Sequence, residues 1–63
     1  MRNRAMYSVT LHYNHSSTTQ VVLDNDNLAH VFSTWGRAHR VCPTECGTLI
    51  LEGVWYITVE KLP

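Results

Sequence analysis

Glycine, proline, cysteine and phenylalanine are all scarce in this chain of 63 residues, which has three, two, two and one of them respectively. Glycines at 36, 47 and 53 only leave no glycine-rich cradle for a phosphate, and neither a catalytic carboxylate pair nor a G-x-S-x-G elbow occurs. Charge of either sign is also in short supply, with five Lys and Arg against five Asp and Glu and a formal net charge of zero. A neutral domain lacks the phosphate-neutralising term that dominates non-specific affinity for nucleic acid. No apolar run approaches the roughly 20 residues of a membrane-spanning helix, and none of signal-peptide length follows Met1. The expectation is a cytoplasmic protein without a membrane partner, its two cysteines reduced.

What is present is a chain 44% apolar that makes one domain over residues 1–63, with residues 1–5 as a flexible N-terminal arm. A domain this short buries only about 60% of the surface its unfolded form exposes, so a partner subunit, a metal or a disulfide is expected to support it.

Residues 6–13 alternate, with Tyr7, Val9, Leu11 and Tyr13 on one face and Ser8, Thr10 and His12 on the other, the period of a half-buried strand. A polar turn of about four to six residues leads to a second strand at residues 20–23. Asp24, Asn25, Asp26 and Asn27 end that strand and supply side chains able to cap a helix. Leu28, Val31, Phe32 and Trp35 then form one apolar stripe at helical spacing. Gly36 interrupts it, and Arg37, His39 and Arg40 suit the negative end of a helix dipole, so the helix is expected to reach residues 38–40. Residues 41–47 read as a loop because of Pro43 and Gly47.

Two strands follow, residues 48–51 and 54–59, with Glu52-Gly53 as a two-residue hairpin turn. Counted outward from that turn, Leu49, Leu51, Val54 and Tyr56 share one face, and Ile50, Trp55, Ile57 and Val59 the other. The sequence therefore predicts an α+β fold: a ββαββ domain whose antiparallel four-stranded sheet carries one helix packed on one face. With one helix for two apolar faces, the second face needs a partner, and a homodimer stacking sheet on sheet would cover it.

The spacing His39-x2-Cys42-x3-Cys46, with His30 upstream, offers four ligands that zinc accepts. The close C-x2-C or H-x3-H pairs of zinc modules are missing, so no metal and no cofactor is expected. Cys42 or Cys46 beside His39 and Glu45 has the makings of a nucleophile and its base, but so short a chain offers little concave surface for a substrate, and no enzyme is expected.

Free-standing neutral chains of this size without a catalytic constellation look, in size and style, like small accessory proteins of bacteriophages and mobile elements, which bind a host or defence protein and inhibit or redirect it. The expected partner-binding residues are Trp55 as anchor with Ile50 and Ile57 beside it, Tyr56 on the opposite face, and Arg37 and Arg40 at the helix end. If dimerisation consumes the apolar face, target binding falls to the rim, at the turn of residues 14–19 or the helix end. The alternative function is a nucleic-acid-binding or transcription accessory in which Tyr7, Tyr13, Trp55 and Tyr56 stack on bases.

Overall fold

A computed structural model describes residues 4–63. Strands β1 (Met6–Tyr13) and β2 (Thr18–Asp24) lead into helix α1 (Asn25–Gly36), then a small hairpin of β3 (Val41–Thr44) and β4 (Gly47–Ile50), and last the long strand β5 (Val54–Lys61). The fold is α+β as expected, but the strands form two sheets instead of one of four. One is three-stranded and antiparallel in the order β2-β1-β5, and the other is the β3-β4 pair. Of the arm expected over residues 1–5, residues 1–3 lie outside the described part, and Arg4 pairs with Asp24 at 2.9 Å.

The alternation of β1 decides where the core lies. Val9 and Leu11 are fully buried and Tyr13 nearly so; they meet Leu23 of β2, Val31 of α1, Cys42 and Leu49 of the small hairpin, and Leu51. The helix and the β3-β4 hairpin thus cover the same face of the three-stranded sheet, and the Tyr13 hydroxyl ties the two sheets by donating to the Ile50 carbonyl at 2.6 Å. The other face carries Ser8, Thr10 and His12 flanked by Gln20 and Val22 of β2 and Thr58 and Glu60 of β5. It is open and mostly polar, which corrects the expectation of two apolar faces.

Two local readings account for the difference in topology. Pro43 lies inside β3 opposite Thr48. The Leu51 N–H bonds the Arg40 carbonyl at 2.7 Å, so by alternation Cys42 with Leu49 and Thr44 with Gly47 are the bonded pairs, and the missing N–H of Pro43 points away from β4. Proline therefore costs this hairpin no ladder bond. The second reading is the Glu52-Gly53 turn, closed by Val54 N–H to the Leu51 carbonyl at 3.1 Å. Gly53 has φ +81° while Glu52 is not in the positive region, the geometry of a type II turn. Its twist splays the flanking chains, where a hairpin needs the mirror-image turn types. β5 accordingly leaves β4 and pairs with β1 instead, Leu11 opposite Ile57 and Val9 opposite Val59.

Helix α1 begins where its capping residues predict. The Asp24 carboxylate accepts from the Asn27 backbone N–H at 2.9 Å and from the Asn27 side-chain amide at 3.0 Å. These bonds, with the Arg4 guanidinium in support, hold the Asp24 carboxyl below its ordinary range against the opposing effect of burial. A depressed folded-state pKa stabilises the fold above the unfolded value of about 3.9 and ceases to do so as pH falls through the folded value. Thermal melts are expected to show stability declining below about pH 4, with a smaller decline in Asp24→Asn than in wild type.

The helix ends at Gly36, two to four residues earlier than its basic residues suggest. His39 N–H bonds the Thr34 carbonyl at 3.2 Å and Ala38 N–H the Trp35 carbonyl at 2.9 Å, a Schellman ending with Ala38 at φ +61°. Glycine suits this left-handed position, yet the nearby glycine stands at 36, inside the helix, where an added Cβ meets nothing within 4 Å. Ala38→Gly and Gly36→Ala are each expected to stabilise the protein by about 0.5–1 kcal/mol, read as a rise in Tm. Ser16, at φ +72° in the β1-β2 turn, is a second left-handed position without glycine.

Candidate functional site

β5 does not run regularly against β1. His12 opposes Tyr56 and Tyr13 opposes Val54, which leaves Trp55 as an extra residue in a bulge. In a regular strand neighbouring side chains point to opposite faces; here the bulge brings Trp55 and Tyr56 together, their rings edge to face with centroids 4.9 Å apart. Tyr56 in turn stacks on the His12 ring at 4.1 Å and nearly parallel. The His12 Nε2 contacts the Thr58 hydroxyl across the pair of strands. An aromatic cluster therefore stands at one end of the open face, with Trp55 69% and Tyr56 44% exposed.

The cluster edges a shallow recess of about 220 Å³ completed by the β1-β2 turn and the start of β2, where Asn14, Ser17 and Thr18 supply amide and hydroxyl groups. The turn is held in place from two sides. Tyr13 N–H bonds the Ser17 carbonyl at 3.0 Å, and Asn14 N–H bonds the Gly53 carbonyl at 2.8 Å, so the turn before β5 and the turn after β1 are fixed to each other. The surface presented is an exposed indole and phenol ringed by uncharged polar groups.

The six residues expected to bind a partner are dispersed. Trp55 and Tyr56 adjoin, where opposite faces were expected. Ile57 packs against the core opposite Leu11 and is only partly accessible. Ile50, 51% exposed, pairs with Val41 on the outward side of the small hairpin and shares no ladder with β5. Arg37 is the exposed C-cap of α1, and Arg40 pairs with Glu52 at 3.3 Å on the surface. His12 is the residue whose role the sequence concealed; only knowledge that β5 lies beside β1 places it against Tyr56. Cys42 is buried and Cys46 exposed, and among the described residues no three His, Cys, Asp or Glu side chains gather in a group able to hold a metal ion. Among the described residues, no helix is long and apolar enough to cross a membrane. Compared with known proteins, the chain matches no family model, no curated protein and no solved structure.

Proposed function

We propose that this protein is a non-enzymatic binding module that inhibits or redirects a target protein by stoichiometric contact, with Trp55 and Tyr56 as its anchors. The observation that carries the reading is the exposed Trp55 indole, held by its neighbour on an otherwise polar face. Binding energy at protein interfaces concentrates in a few Trp, Tyr and Arg side chains surrounded by groups that exclude water, and Asn14, Ser17 and Thr18 would form such a rim. The fixed ring orientation lowers the entropy lost when a partner closes over it.

A second reading, a nucleic-acid accessory, draws on the stacked His12 and Tyr56 rings on an open sheet face, since aromatic platforms of this kind stack bases. The neutral composition weighs against it, because single-strand binders surround such a platform with a basic groove. Affinity capture with wild-type and Trp55→Ala baits separates the two. A protein captured in equimolar amount by wild type alone supports the proposal, and recovery of oligonucleotide in place of protein supports the second reading.

A further inference from the structure

We infer that two copies of this chain associate through the outer edge of β5, joining their three-stranded sheets into one antiparallel sheet of six. The inference rests on the backbone of residues 57–61 and not on the target-binding reading of Trp55. The Leu62 N–H bonds the Met6 carbonyl at 2.9 Å, which makes these two a bonded pair of the antiparallel ladder. Alternation then makes Glu60, Thr58 and Tyr56 the residues of β5 whose N–H and C=O face β1, opposite Ser8, Thr10 and His12. Ile57, Val59 and Lys61 direct theirs outward, and among the described residues no strand pairs with that edge.

The opposite edge of the sheet is differently treated. Tyr13 N–H to the Ser17 carbonyl fixes the alternation between β1 and β2, so Val22 directs its carbonyl outward, and the Cys46 thiol from the β3-β4 turn meets that oxygen at 3.7 Å. β2 also runs directly into α1. Between the Trp55 bulge at one end and Glu60 and Lys61 at the other, β5 presents over residues 56–59 an edge with no proline, no charge and no covering element.

Side-chain matching sets the register. Identical antiparallel edges are related by a two-fold axis perpendicular to the sheet, which keeps core-facing residues beside core-facing residues. With the axis at Thr58, Ile57 meets Val59 of the second copy, and each such pair exchanges both backbone hydrogen bonds. On the open face Tyr56 meets Glu60 of the second copy, a phenol beside a carboxylate. An axis at Ile57 would set the bulged Trp55 against Val59 in the middle of the ladder, and one at Val59 would set the Lys61 charge against Ile57; the Thr58 axis leaves Trp55 and Lys61 opposite each other at the two ends, outside the Ile57 and Val59 pairs. The Thr58 axis also leaves both aromatic clusters on one continuous face.

Sedimentation and cross-linking test this. In a Cys46→Ser background, Thr58→Cys places two thiols across the axis in a non-bonded pair, with Cα atoms about 4.5 Å apart and within disulfide range. Oxidation is expected to give a covalent dimer with Thr58→Cys faster than with Val59→Cys. Wild type is expected to sediment at twice 7.2 kDa at micromolar concentration. Val59→Pro removes an outward N–H without touching the ladder to β1 and is expected to give a monomer. Thr58→Lys, which sets like charges directly opposite on an exposed position, is expected to weaken the dimer about tenfold or more while the circular dichroism stays unchanged. A wild-type species of 7.2 kDa at every concentration overturns the inference. So does a dimer indifferent to Thr58→Lys, or faster cross-linking at position 59 than at 58.

Discussion

Leu11→Ala is expected to lower the melting temperature by roughly 10 °C or more. Leu11 is completely buried at the centre of β1, itself the central strand, with Thr19 on one side and Ile57 on the other. Truncating a buried leucine costs roughly 2–5 kcal/mol, the transfer of the lost methyl groups plus the cavity they leave. A chain of this length has a total stability on the order of 3–9 kcal/mol, so the loss takes a large part of what there is. In a domain this small each kcal/mol moves Tm by about 4–8 °C, which puts the expected drop at roughly 10 °C or more. Thr10→Ala, one residue earlier on the open face, is expected to stay within about 0.5 kcal/mol of wild type. Equal effects of the two substitutions in thermal melts would mean that the alternation of β1 does not define the core.

That alternation was legible because a strand with one face buried must repeat every second residue, and residues 6–13 do. The start of the helix was legible for an equally local reason, a run of four side chains at residues 24–27 able to accept from its free N–H groups, although which of them caps it, Asp24, was not. The apolar stripe was legible in part: Val31 is buried, Leu28 and Trp35 pack at its margin, and Phe32 remains 40% exposed. What could not be read depended on the partner of a strand instead of the strand itself. Pro43 signals a break unless one knows that its nitrogen faces away from β4. Gly53 signals a tight hairpin unless the φ of Glu52 is known, since the same dipeptide serves a turn that joins strands and one that separates them. Once β5 is assigned to β4, Ile50 falls beside Trp55, Tyr56 moves to the opposite face and the bulge disappears. The candidate site was therefore half legible: its two aromatic anchors were named, and their shared face, His12 and the recess beside the β1-β2 turn were not.

Trp55→Ala is expected to abolish capture of the target while leaving the fold intact. The indole is the most exposed large apolar side chain described, so removing it uncovers no core and should change stability by less than about 1 kcal/mol. Truncation of a central interface tryptophan typically costs about 2–4 kcal/mol of binding, a loss of roughly 30-fold to 1,000-fold in Kd. Tyr56→Ala is expected to follow with a somewhat smaller loss, because Tyr56 holds the indole edge to face and is the second anchor of the proposed interface. His12→Ala removes the ring on which Tyr56 stacks and is expected to weaken binding through the loosened platform. A melting curve on each variant separates these losses from unfolding.

The central claim is that function resides in the aromatic cluster on the open face and not in the second exposed apolar pair, Val41 and Ile50, on the small hairpin. The most direct measurement is a calorimetric titration of the captured target against two double variants, Trp55→Ala with Tyr56→Ala and Val41→Ala with Ile50→Ala, both verified as folded. We predict that the first shows no heat of binding and that the second binds within about threefold of wild type, in a one-to-one ratio per chain. Wild-type affinity in the Trp55 and Tyr56 variant, or loss of binding only in the Val41 and Ile50 variant, would contradict the account.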